Sequence, residues 1–90
     1  MLKLDLTKDA GEFLVEREAK QSRQIWNKII GLMKDPFPND SAAVKGYPGY
    51  FRANIGEFRI IYKADKECLW VLIIDKRNDD EVYKRLKHSS

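Results

Sequence analysis

Leu2, Leu4 and Leu6 alternate with Lys3 and Asp5, the two-residue period of a short strand with one face turned inward. Thr7 is then a natural helix N-cap, and Ala10, Phe13, Leu14 and Arg17 fall at helical spacing. A second set, Ile25, Trp26, Ile29, Ile30 and Met33, repeats at i, i+1, i+4, i+5 and i+8 and predicts an amphipathic helix. At about 100° per residue, the interval from Phe13 to Ile25 leaves the two stripes roughly 120° out of phase on one straight helix. A break near Arg17 to Lys20 follows, giving two helices in a hairpin. The second ends after Lys34, because Asp35-Pro36-Phe37-Pro38-Asn39-Asp40 cannot continue it.

Beyond a polar stretch at Ser41 to Lys45, Gly46, Pro48 and Gly49 punctuate the entry into a sheet. Tyr50 to Ile55 and Phe58 to Ala64 both alternate, and the two residues between them, Gly56-Glu57, fit a type II′ hairpin turn. That turn pairs Ile55 with Phe58, Asn54 with Arg59, Ala53 with Ile60, Arg52 with Ile61 and Phe51 with Tyr62. Phe51, Ala53, Ile55, Phe58, Ile60 and Tyr62 then share a face for the helices, and Arg52, Asn54, Arg59, Ile61 and Lys63 share the other. A slip of one residue would bury the arginines, so pattern and turn agree on one register.

Asp65-Lys66-Glu67 reads as a second hairpin turn, and Cys68 to Ile74 as a near-continuous apolar strand covered on both sides. Asn78 and Glu81 stand in capping-box spacing ahead of a short C-terminal helix through Lys87. The expected architecture is α+β: one domain over residues 1–90, an N-terminal helical hairpin packed on a small, mainly antiparallel four-stranded sheet, and the terminal helix. Trp26, Trp70 and Cys68 read as core residues.

Composition narrows the classes of function. The hydrophobic and charged fractions, 43% and 34%, are those of a folded domain. The longest apolar run, Leu69 to Ile74, is far shorter than the roughly 18 residues of a membrane span. The N-terminus has no apolar signal region, so a cytoplasmic location is expected. One cysteine cannot form an internal disulfide or a thiol metal site. The net charge of +3 is unevenly placed: residues 1–40 balance seven Lys/Arg against seven Asp/Glu, whereas residues 41–90 carry ten against seven. The basic excess in the second half leans toward an anionic partner.

The chemistry points the same way. Arg52 and Arg59 share the outer hairpin face, Lys76 and Arg77 follow the apolar strand, and Tyr83 sits in the terminal helix. Arginine presents a planar fork matched to phosphate, and an exposed tyrosine offers a ring on which a base can stack. The same residues also read as ordinary surface charges and a helix tyrosine against the sheet, and spacing alone does not separate the two. His88, the only histidine, lies near the terminus, which leaves out a two-histidine ribonuclease mechanism and most metal sites. Asp79, Asp80 and Glu81 are better explained as helix-start carboxylates than as metal ligands.

The segments GYPGYFRANIGEFRIIYKAD and LWVLIIDKRNDDEVYKRL, with KDPFP closing the helical hairpin, resemble the RelE branch of the RelE/ParE superfamily of type II toxins. The resemblance implies an endoribonuclease that cleaves mRNA in the ribosomal A site without metal or other cofactor. Its partners would be the ribosome and mRNA, an antitoxin protein, and operator DNA only through the antitoxin complex. It assigns Arg59 to phosphate stabilisation, Arg77 to the leaving group and Tyr83 to orienting the substrate, with Arg52 and Asn54 as substrate-binding residues; Lys76 joins these by its place at the edge of the basic face. Arg52 and Asn54 stand where the family often has lysines, the first of them the proposed general base. Arginine is a poor base and asparagine carries no charge, so Tyr83, Lys76, Glu81 or the ribosome itself would have to take that part. The alternatives are a ParE-like inhibitor of DNA gyrase and a non-catalytic module that binds an antitoxin.

Overall fold

The computed structural model describes residues 1–77. Its elements run β1 (Lys3–Leu6), α1 (Lys8–Glu16), α2 (Ala19–Lys34), β2 (Ser41–Ala43), β3 (Phe51–Ile55), β4 (Phe58–Ala64) and β5 (Cys68–Lys76). They form one five-stranded sheet in the order β1-β5-β4-β3-β2, antiparallel except where β1 runs parallel to β5. The expected terminal helix and the Asn78–Glu81 capping pair lie outside the described residues.

The helical hairpin breaks where the phase of its apolar stripes requires. Arg17 and Glu18 both adopt extended backbone between α1 and α2, and the Arg17 guanidinium lies 4.3 Å from the centre of the Phe13 ring. That ring meets Phe58 edge-on at 5.8 Å, tying the end of α1 to the sheet. Thr7 caps α1: its hydroxyl accepts the N–H of Ala10 and donates to the carbonyl of Leu72. Leu72 is the extra residue of a bulge in β5, where the pairing shifts between Ile61 and Tyr62. The bulged carbonyl is thus satisfied by the first helix cap.

The β3–β4 register is the one read from the turn, pair for pair. Gly56 has φ 57°, and among the described residues only glycines have positive φ, so Glu57 does not, as a type II′ turn requires. All six apolar residues on the inner side of the hairpin join the core formed with Ala10, Leu14, Ile25, Ile29 and Leu32.

Several expectations are corrected. The sheet has five strands rather than four, because Ser41–Ala43 pairs with β3 as an edge strand that its three-residue Ser-Ala-Ala sequence did not signal. In α2 the buried stripe is Ile25, Ile29 and Leu32, whereas Ile30, one residue past Ile29 and so turned about 100° away, is 41% exposed. Cys68 is half-buried where β5 begins, opposite Lys3 of the edge strand, and desolvation pushes its thiol pKa up. Trp26 packs at the rim of the core. Trp70 is half-buried in the row between Lys63 and Asp5, on the side away from the helices.

The outer face is not wholly solvated either. Ile61 is fully buried there with Val44 and Ile73, under a loop carrying Tyr47 and Tyr50 that is closed by the Val44 N–H donating to the Tyr50 carbonyl.

Candidate active site

Three strands and one turn build the site. Alternation puts Arg52 and Asn54 of β3 on the outer face with Arg59 of β4, and pairing sets Asn54 directly across from Arg59. All three are half-buried. On its other side Arg59 faces Asp75 of β5, a residue absent from the sequence-based set of candidates. Directly opposed residues on one sheet face have Cβ atoms about 5 Å apart, so the row Asn54-Arg59-Asp75 places an amide and a carboxylate on either side of the guanidinium. Asp75 also offsets the repulsion expected where Arg52 lies diagonal to Arg59. The signal for it was available: once β5 is paired antiparallel with β4, the register alone identifies Asp75.

The Asn54 side-chain oxygen is buried and accepts no hydrogen bond from the described residues. An unsatisfied buried acceptor of this kind costs about 1–3 kcal/mol. It leaves one unmet acceptor beside Arg59.

The end of β5 is held by the hairpin turn. The Arg77 N–H donates to the Glu57 carbonyl at 2.8 Å, which extends the β4–β5 register by one pair and sets Glu57 across from Arg77. The Arg77 Nη1 donates to the Gly56 carbonyl at 3.1 Å. The same turn therefore fixes the hairpin register and positions a second guanidinium. Glycine is required at its first position on two counts, because φ is positive and a Cβ would come within 3.0 Å of the Gln24 amide on α2.

Glu57, Arg59, Lys76 and Arg77 line an open cleft of about 450 Å³ at this end of the sheet. Lys76 is registered opposite Phe58, so its position belongs to the helix-facing rows, and it lines the cleft as an exposed residue at the strand end. Asn54 lies in the Arg59 row one strand over, and Arg52 lies one row farther along the outer face. Tyr83 lies outside the described residues. A half-buried arginine, an exposed arginine and a lysine around one cleft can bind and polarise a phosphodiester.

These elements, in this order, make the fold of the RelE/ParE superfamily of toxins. By sequence, no protein-family model and no curated protein matches the chain. By structure, the isolated E. coli RelE toxin matches with a TM-score of 0.75 at 17% identity, covering 99% of this chain and 98% of that one. RelE in the RelE–RelB complex from Pyrococcus horikoshii matches at 0.74 and 19% identity, over 86% of this chain and 96% of the other. A YoeB/ParE toxin from Agrobacterium tumefaciens matches at 0.71 and 25% identity, over 84% and 99%.

Proposed function

We propose that this protein is the toxin of a type II toxin–antitoxin pair and a ribosome-dependent endoribonuclease that cuts mRNA in the A site. The observation that carries this reading is the convergence of Arg59 and Arg77 on one cleft, within a fold shared with RelE. In the reaction, the ribose 2′-oxygen attacks the adjacent phosphorus and the 5′-oxygen leaves. Charge builds on the non-bridging phosphate oxygens and on the leaving oxygen. Arg59, held within its row between Asn54 and Asp75, stabilises the first, and Arg77, held by the turn, the second. Arg52, Asn54 and Lys76 bind the flanking strand, and Tyr83 orients the base. The ribosome supplies the geometry of the mRNA, which a cleft this open does not impose by itself.

The partner that neutralises such a toxin is an acidic antitoxin, matched to the basic excess of residues 41–90. Antitoxin complexes are among the structures that share the fold, including the intact E. coli RelBE complex.

Primer extension on mRNA in a translating extract tests the reading. Wild type is expected to produce codon-phased cuts, and Arg59→Ala to weaken them by about 10²–10³-fold, the usual effect of removing one transition-state donor. Tyr83→Phe is expected to weaken them as well. Intact mRNA together with blocked gyrase supercoiling would replace this reading with a ParE-like one.

A further inference from the structure

The charged residues at the end of the sheet form a checkerboard. Arg59 faces Asp75, and two pairs further on, on the same face, Glu57 faces Arg77. Each arginine is thus opposed by a carboxylate, but the two carboxylates differ. Asp75 lies within the strand, and its Oδ1 accepts the Lys76 N–H at 2.8 Å, so it helps hold the end of β5. Glu57 is exposed at the second position of the turn and lines the cleft with Arg59, Lys76 and Arg77. Its carboxylate makes no hydrogen bond or ion pair with any described residue.

We propose that Glu57 is the proton acceptor of this site, the group that activates the 2′-hydroxyl of an RNA strand held by Arg59 and Arg77. The proposal rests on the mRNA-cleavage reading and supplies the step that reading lacks. Arg52 is always charged and Asn54 has no basic atom, so neither can take the proton. A lysine ammonium has no lone pair with which to accept a proton. A carboxylate is an acceptor there, and this one lies on the cleft beside both phosphate-binding guanidiniums.

The step balances. The 2′-O–H bond breaks and its proton passes to a Glu57 Oε, while the freed electron pair forms the 2′-O–P bond. The P–O5′ bond breaks, and the departing oxygen takes a proton from water while Arg77 offsets its charge. Glu57 then returns its proton to the hydroxide left behind. The products are a 2′,3′-cyclic phosphate and a 5′-hydroxyl end, with no change of oxidation state.

The test is single-turnover cleavage of an mRNA positioned in the A site of purified ribosomes, with and without added sodium formate. Glu57→Ala is expected to slow cleavage by about 10²–10⁴-fold, and formate, a small carboxylate able to enter the vacated space, to restore part of the rate. Glu57→Gln fills that space, so it is expected to be as slow and to gain nothing from formate. Asp75→Ala is expected to lose activity without rescue, because its carboxylate acts through Arg59 and the strand. A rate for Glu57→Ala within about threefold of wild type, or a loss that formate leaves untouched, would overturn the proposal while leaving mRNA cleavage standing. Rescue of Asp75→Ala alone would transfer the role to Asp75 and overturn it equally. A wild-type protein that leaves the mRNA intact would overturn both readings.

Discussion

Ile60 and Ile61 are consecutive residues of β4, both fully buried, and they lie on opposite sides of the sheet. Ile60 enters the main core, which among the described residues comprises twelve buried side chains from both helices and three strands, whereas Ile61 enters a cluster with Val44 and Ile73 roofed by a single loop. The inner side of the hairpin is apolar from end to end. The outer side is divided: apolar under the loop, charged toward the Gly56-Glu57 turn. Strand alternation therefore separates the residues that hold the fold from those available for chemistry. It also explains why the charged end tolerates Arg59 and Asp75 as half-buried neighbours, since a rigid apolar layer lies directly beneath them.

The largest effect should come from testing the two isoleucines against each other. Ile60→Ala is expected to destabilise by about 2–5 kcal/mol, because helices and strands surround the site and cannot collapse into the space left. Ile61→Ala should fall at or below the lower end of that range, because the loop above it can settle. Urea unfolding of the two variants checks this, and equal losses would break the contrast between the faces. Next in size is Gly56→Ala. Placing an alanine at φ 57°, against the Gln24 amide, is expected to cost about 1–3 kcal/mol and to lower cleavage as well, since the displaced carbonyl is the one that holds Arg77. Stability lost with full cleavage activity would separate the turn from the site.

How much of this was legible depended on the range of the interaction involved. The β3–β4 register and its faces could be read because a two-residue turn and strict alternation are local and agree. The break near Arg17 was visible as a phase error, with no Gly or Pro to mark it. Ser41–Ala43 was not legible as a strand, because its pairing with β3 is tertiary and its own residues have little strand preference. The burial of Ile61 was likewise hidden, since the loop that covers it is distant in sequence. Arg59 and Arg77 were found as candidates, but the pairings that give them surroundings, Asp75 across β5 and Glu57 across the turn, appear only once the third strand is placed.

Two smaller tests sharpen the account of the inner face, at the edge where α2 meets the strands. The Tyr62 ring is fully buried and its hydroxyl donates to the Pro36 carbonyl, joining β4 to the segment that leaves α2. Tyr62→Phe keeps the ring and removes the donor, so the loss should be about 1 kcal/mol, well below that of Ile60→Ala. Burial raises the phenol pKa above its ordinary value, which favours the protonated ring in the folded state. The stabilisation from this source is therefore complete below pH 10, and wild type should lose it above that value while Tyr62→Phe does not.

The smallest effect belongs to the ion pair between Lys28 of α2 and Asp40, just ahead of β2. The hydrogen bond from Lys28 holds the Asp40 carboxyl below its usual value of 3.8. A depressed folded pKa contributes stability above the unfolded value, and that contribution disappears as pH falls through the folded one. Asp40 is 58% exposed, so solvent screens the pair and its contribution should stay under about 1 kcal/mol. Asp40→Asn should accordingly unfold at slightly lower urea than wild type at pH 7, and the gap should narrow as pH falls below 3.8 and through the folded value of Asp40. A gap that did not narrow with falling pH would mean that Asp40 acts through geometry rather than charge.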